Sequence, residues 1–477
     1  MNPVRNSKMR SNMINPVRNS TITEHSTKRN VSDGMNRRDF LKTTSASVLA
    51  IPLRSLTAQE RNISEKKSGD EILDQVDVRI EKHRKGNAVL SLVGPDGKSL
   101  DPGLAVEIHQ RRHKFLFGCN IFKLGRCRTP DDNAAYEKQF AAMLNYATLP
   151  FYWWNYEREK GKPDDARTEE IVRWCKANNI TTKGHPLAWN WVEPDWLPDT
   201  PEAAMQAQFD RIEHCVRQFK GDINIWDVVN EATQYDRPEC KQRAPKLTEA
   251  IRRMGVGAYV CGAFKAARKG SSQATLIIND YRTDPAFIDT VISKLVDEYG
   301  KPLYNVIGIQ SHMHGGYWGA EQTWQVCERF AKFGKPLHFT ETTLVSGPRT
   351  QQGWHTTPEG ESRQAEQVTE FYRVLFSHPA VAAVTWWDFT DQGAWQGAPA
   401  GFMRADMTPK PAYEQLQQLI KGKWWTQIKT KIAETGKATF DGFFGQYEVT
   451  AQSSGRQLAG TFWFDENIKE TIEVRLK

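Results

Sequence analysis

The sequence predicts a (β/α)8 TIM barrel over residues 114–422, with a small β-rich unit before it and another after it. Three observations lead there. Eight short runs of β-branched, aromatic and aliphatic residues recur along this stretch, and each is followed by a segment whose apolar residues return at helical spacing. Two of the runs end in a glutamate, Glu231 and Glu341, and the C-terminal end of a barrel strand is where such folds present their reactive side chains. The first run leads into Gly118-Cys-Asn-Ile-Phe-Lys-Leu-Gly125, which lacks the glycine-rich phosphate turn that a doubly wound open sheet carries after its first strand.

The elements follow in order. Between residues 72 and 113, a strand-like run at 87–93 enters the turn Gly94-Pro-Asp-Gly97 and returns through 104–109, which predicts a small β unit. The eight barrel strands are expected at 115–119, 145–149, 181–187, 223–229, 275–279, 306–310, 337–340 and 381–386. Helical spacing predicts helices at 133–143, 167–178, 201–219, 248–268, 285–299, 320–333, 361–377 and 411–420. From 424 to 477 the pattern returns to strands, at 438–443, 446–451, 461–464 and 471–476, separated by Asp441-Gly442, Ser453-Ser-Gly455 and Asp465-Glu-Asn467 turns.

The net charge of +7 belongs to one end of the chain. Residues 1–58 carry ten Lys or Arg against three acids, which leaves 54 basic and 54 acidic side chains in the rest. A neutral body argues against a nucleic-acid partner. Within the basic leader, Asn36-Arg-Arg-Asp-Phe-Leu-Lys42 is a twin-arginine pattern, followed by a mild apolar stretch and small residues near Ala58. Residues 35–58 are therefore read as a twin-arginine signal peptide, with Met35 as the start and the mature protein exported to the periplasm or beyond, free of the membrane and monomeric. Residues 1–34 repeat Asn-Pro-Val-Arg-Asn-Ser and are read as low-complexity sequence without a fold. The seven cysteines show no Cys-x-x-Cys spacing, so neither a structural zinc site nor a cofactor is expected.

Chemistry is concentrated at the strand ends. Two carboxylates facing one another are the minimum for breaking a glycosidic bond, one protonating the leaving oxygen and one attacking the sugar carbon or activating water. Asn230 precedes Glu231, His185 ends the third strand, Gln310 and His312 end the sixth, and Trp387 and Trp395 follow the eighth. The polar side chains are suited to orienting carboxylates, and the indoles to stacking on the apolar C–H faces of pyranose rings. His312 and His314 suggest a metal, but no carboxylate stands at ligand spacing beside them, so no metal is expected. The tryptophans at 153/154, 189/191/196 and 386/387/395 are expected at loop tops lining a groove.

With these residues the chain resembles the family 10 glycoside hydrolases, the family of endo-β-1,4-xylanases, over about residues 115–420. The resemblance rests on Trp226-Asp-Val-Val-Asn-Glu231, Phe339-Thr-Glu341, Gly184-His-x-Leu-x-Trp189, Asn279-Asp-Tyr281, Gln310-Ser-His312, Thr385-x-Trp387 with Trp395, and Pro409-Lys-Pro-Ala-Tyr413, all in family order. It implies that Glu231 is the general acid/base and Glu341 the nucleophile of a retaining double displacement on a polysaccharide or oligosaccharide. It implies that His185, Trp189, Asn230, Tyr281, Gln310, His312, Trp387 and Trp395 bind or orient the substrate. The chain departs from the family after the second strand, where an acid, an amide and a lysine on the glycone side are replaced by Pro150, Phe151 and Trp154. The second histidine expected after Trp189 is Asn190, and Thr343 stands where Asp is common. These departures leave three alternatives beside an endo-xylanase: exo action, a different β-glycan, or a non-catalytic glycan-binding barrel. The C-terminal appendage is expected to cap the barrel or bind glycan.

Overall fold

A computed structural model describes residues 68–477 except Ser454; the low-complexity segment and the twin-arginine signal read from the sequence lie outside the described residues. Residues 67–477 form one compact unit built on a closed barrel of eight parallel strands. Barrel strands 1 to 8 are Leu116–Asn120, Tyr146–Pro150, Thr181–His185, Ile225–Asn230, Thr275–Asp280, Val306–His312, Leu337–Thr343 and Val381–Trp386, and strand 8 pairs with strand 1 to close the ring. Each expected strand is present, with ends displaced by up to three residues.

The helices owe their positions to local grammar. Three of them, Pro130–Met143, Pro201–Gln218 and Pro358–Ser377, begin with Thr-Pro. The threonine hydroxyl accepts an orphan N–H of the first turn, from Asp132, Ala203 and Gly360 respectively, while the proline supplies a preset φ at a position needing no donor. Ala204, Met205, Gln208, Ile212, Cys215 and Val216 then recur on the buried face of the second.

Elsewhere the expectations need correction. The helix expected at 248–268 is two helices, Pro245–Met254 and Val256–Gly270, because Gly255 takes φ 83° between them. The helix expected to reach residue 299 stops at Thr290; the Asp297 carboxylate takes the N–H groups of Tyr299 and Lys301 and folds that stretch into a turn instead. The short helices Trp153–Tyr156 and Pro238–Arg243 were not anticipated.

The segment before the barrel opens with two helices, Gly69–Asp74 and Val76–Arg84, where strands and turns were expected. Arg84 ends the second and donates to the carbonyls of Phe376, His378 and Val381 at 2.6, 2.6 and 2.8 Å, fastening it under the barrel. The two β-rich appendages are not separate. Lys85–Val93 lies between Lys437–Phe443 and Ile472–Arg475 in one sheet. Ala105–His113 lies between Gln427–Lys431 and Gly445–Ser453 in another. Leu90, Leu92, Ile108, Phe440, Tyr447, Val449 and Val474 share a core of their own between these sheets, apart from the barrel core.

All seven cysteines are free thiols. Among the described residues, no helix is long and apolar enough to cross a membrane.

Candidate active site

Parallel strands in register bring their C-terminal residues to one rim. Asn230 aligns with Asn279 across strands 4 and 5, and Gln310 with Glu341 across strands 6 and 7. Register slips just before these residues, between Asp227 and Val229 and between Ile309 and Gln310, and such a slip re-aims the side chains that follow. Two glycines make the close packing possible. A Cβ on Gly184 would come within 2.2 Å of the Trp226 ring, and one on Gly308 within 2.6 Å of the Asn279 carbonyl oxygen.

Glu231 and Glu341 are both buried and are joined by three amides. Asn279 Nδ2 donates to Glu341 Oε1 at 2.8 Å and to Asn230 Oδ1 at 2.7 Å. Gln310 Nε2 donates to that same Asn230 oxygen at 3.0 Å and to Glu231 Oε1 at 3.1 Å. His312 Nε2 lies 3.2 Å from Glu341 Oε2, and its Nδ1 lies 2.8 Å from Thr343 Oγ1. Thr343, the departure noted in the sequence, is therefore the residue that orients His312.

Behind Glu341 runs a buried chain of charge. Lys183 Nζ donates to Asp227 Oδ2 at 2.6 Å, His185 Nδ1 meets the same oxygen at 2.8 Å, and His185 Nε2 is 3.8 Å from Glu341 Oε1. Burial pushes the Asp227 carboxyl up, but Lys183 and His185 outweigh it and hold the group below the usual range. Burial also pushes the Glu341 carboxyl up, to about 7; the negative charges of Glu231 and Asp227 add to the rise, and His185 and Lys183 oppose it. The His312 imidazole is held down near 4 by burial, so it stands neutral beside the carboxylate. Neither Lys183 nor Asp227 was singled out from the sequence. Each sits inside a strand as a charged residue where apolar ones dominate, and that is the signal that could have found them.

The aromatic side chains divide. Trp387 stands edge-on to His185, His312 and Phe122, with ring centroids 5.4, 5.8 and 5.7 Å away. Trp395 lies 4.6 Å from His312 and is 43% exposed, and Trp189 stacks on Trp191. Trp153, Trp196 and Trp386 correct the expectation of a groove lined by every clustered tryptophan: Trp153 and Trp196 pack together in a satellite core, and Trp386 is fully buried against Phe402. The altered segment after strand 2 divides likewise. Phe151 is core, packed on Trp226, whereas Tyr152 and Trp154 reach Trp189, and Tyr152 also meets His185. Beside Tyr152 and Phe122 opens a cavity of about 690 Å³ whose lining includes Pro150, Arg126 and Arg158.

Glu231 itself sits in the left-handed region, at φ 56° and ψ 38°, unusual for a residue with a Cβ. Its N–H donates to the Asn279 carbonyl, and the one-turn helix Ala232–Gln234 that follows is held by Thr233 N–H to Asp280 Oδ2 at 3.0 Å. Tyr281 touches neither glutamate; its hydroxyl donates to Gln234 in that turn. One residue unforeseen from the sequence enters here. Arg237 Nη2 donates to Glu231 Oε2 at 2.5 Å.

Comparison with known proteins places this constellation. The model of glycosyl hydrolase family 10 matches residues 113–419. The chain is similar to the anti-sigma-I factor RsgI6 of Acetivibrio thermocellus, 25% identical over 397 residues, which cover 82% of this chain and 48% of that one. It therefore spans about half of that relative's length. It is 27% identical to endo-1,4-beta-xylanase B of Thermotoga neapolitana over 286 residues, covering 57% of this chain and 78% of the relative. Among solved structures, xylanase 10B of Thermotoga petrophila in complex with xylobiose aligns with a TM-score of 0.53 and 25% identity, covering 65% of this chain and 95% of that one.

Proposed function

Since the chain belongs to glycosyl hydrolase family 10, we propose that it is a retaining hydrolase of β-1,4-linked glycan, xylan or a close relative, with Glu231 as acid/base and Glu341 as nucleophile. The observation that carries this reading is the pair of buried glutamates at the barrel rim, bridged through Asn230, Asn279 and Gln310. Xylanases stand among its relatives, and one solved relative holds xylobiose.

Each residue has work to do in a double displacement. Glu341 attacks the anomeric carbon, with Asn279 and His312 directing one oxygen each. Burial costs the ionised carboxylate, so charge that passes onto the sugar in the transition state relieves it. Glu231 protonates the leaving oxygen and then activates water. Asn230 lies between the two carboxylates, where a hydroxyl beside the reacting carbon can meet its amide. Trp387 and Trp189 supply faces on which sugar rings stack. Export through the twin-arginine route completes the proposal and suits an enzyme whose polymeric substrate lies outside the cell.

Two variants assign the roles. Glu341→Ala abolishes hydrolysis of every substrate, because no other group can attack. Glu231→Ala abolishes cleavage of xylan but leaves measurable turnover of aryl glycosides whose leaving group needs no proton. Reducing-end release and product chain length from a panel of β-linked polysaccharides, and the anomer first formed by NMR, are the measurements. Near-normal xylan cleavage by either variant overturns the assignment. Monomers and dimers appearing first indicate exo action.

A second reading has one observation in its favour. Both Glu231 oxygens accept hydrogen bonds from the protein, as expected of a barrel that binds glycan without cleaving it. Tight binding of a β-glycan with no reducing-end release would favour that reading.

A further inference from the structure

We propose that Arg237 and Arg243 form a carboxylate-binding site on the leaving-group side of the cleft, that it takes an acidic substituent such as a uronate on the sugar there, and that its occupation draws Arg237 off Glu231. The proposal rests on the hydrolase reading above.

A general acid needs one oxygen free to present a proton. Glu231 Oε2 is taken by Arg237 at 2.5 Å, and Oε1 by Gln310 at 3.1 Å and Asn230 at 3.4 Å. Gln310 and Asn230 belong to the barrel rim and are bonded to each other, and Asn230 also accepts from Asn279, which holds Glu341. Arg237 belongs to the loop that follows Glu231, so it is the donor that can leave. Its other contacts are permissive. The guanidinium lies over the rings of Trp191 and Tyr281, 5.2 and 5.5 Å from their centroids, and its Nε–H is buried without a hydrogen-bond partner. A cation over a ring face can slide at modest cost, whereas a buried donor without an acceptor favours any anion that reaches it.

The same indole carries a second guanidinium. Arg243 lies 5.3 Å from the Trp191 ring, and among the described residues no carboxylate pairs with it. Two arginines thus lie over one indole, with Glu231 as the single carboxylate paired to either among the described residues. Three other acids of these loops are engaged elsewhere: Asp280 accepts the N–H groups of Thr233 and Arg282, Glu193 those of Lys246 and Leu247, and Asp236 faces Lys241. The position follows from chemistry, because groups crowding the proton-donating carboxylate away from Glu341 face the leaving sugar. A sugar on the leaving-group side would carry its carboxylate to the two guanidinium forks held over Trp191, whose planar donors match it in geometry. Asn190 holds the loop in place, donating to Tyr235 O at 2.7 Å and Thr248 Oγ1 at 2.8 Å. The departure from the family pattern at residue 190 and the presence of Arg237 on Glu231 are thereby parts of one arrangement.

The test uses a matched pair of xylo-oligosaccharides, one with a uronic acid on the sugar entering the leaving-group side and one with its methyl ester, equal in size but uncharged. The wild type is expected to favour the acid in kcat/KM by about tenfold, the discrimination one charge-assisted contact supplies. Arg243→Ala is expected to lose most of that preference, and Arg237→Ala all of it. Arg237→Ala also raises kcat on the ester, because Glu231 is no longer held; a merely structural arginine would not produce that gain. Equal cleavage of acid and ester by the wild type, or an unchanged ratio in Arg243→Ala, overturns the site, and a fall in kcat on the ester in Arg237→Ala overturns the latch. If neither compound is cleaved, the hydrolase reading fails, and calorimetry of the same pair decides the site: an acid binding no tighter than its ester overturns it.

Discussion

Glu341 is the residue on which reactivity and stability pull in opposite directions. Burial holds its carboxyl up near 7, against 4.5 for an ordinary glutamate. In its proposed role as nucleophile Glu341 must be ionised, so kcat/KM should rise with pH through about 7 instead of through the usual carboxylate range, and a rate profile on a soluble substrate checks it. The sign for folding follows from the same shift. A raised acid binds its proton more tightly in the folded state, so its contribution is favourable below pH 4.5 and is lost as pH rises through 7. Glu341→Gln removes that loss. Its advantage over the wild type should be near zero at pH 4 and reach roughly 2 to 3 kcal/mol above pH 8, read by denaturant melts at several pH values. An advantage independent of pH would point to packing instead of ionisation. The two glutamates, Asn230, Gln310 and His312 were legible because each closes a strand run. Asp227, Lys183 and Arg237 were not, because their importance lies in which distant side chain they touch.

Strands place these residues by backbone register, and the register depends on close approaches that sequence periodicity does not reveal. Strand 3 and strand 4 meet where Gly184 faces the Trp226 ring. Gly184→Ala would drive a methyl into that ring from 2.2 Å, in a pair of strands that carries His185, Asp227 and Glu231. A loss of at least 1 to 3 kcal/mol, roughly the cost of overpacking a core, is expected, together with lower kcat at little change in KM. Thermal unfolding and steady-state kinetics on the purified variant measure both, and wild-type values in both would refute the role given to this contact. The segment after strand 2 shows the same limit of pattern reading. Both of its tryptophans were expected in a groove, yet Trp153 turns inward, as Phe151 does, and only Tyr152 and Trp154 reach Trp189, because a short helix at Trp153–Tyr156 sets which side chains point where.

At the scale of the whole molecule, the chain ends before and after the barrel are woven together. Removing residues 424–477 would strip Lys85–Val93 and Ala105–His113 of their neighbours on both sides and open the apolar core they share. Unpaired strands with an exposed apolar face aggregate, so this truncation should yield insoluble protein or a much lower Tm; a soluble barrel with wild-type Tm and activity would show the β unit to be dispensable. The sequence by itself determined the eightfold alternation, the closed barrel and the two glutamates at the C-terminal rim of strands 4 and 7, because periodicity and strand-end chemistry are local properties. Only the tertiary structure decided that the two β appendages are one unit, that Lys183 and Asp227 brace His185 behind Glu341, and that Arg237 holds Glu231. Each of these depends on contacts between separate elements of the chain, and a local repeat or motif does not say which residue of another element a side chain or strand will meet.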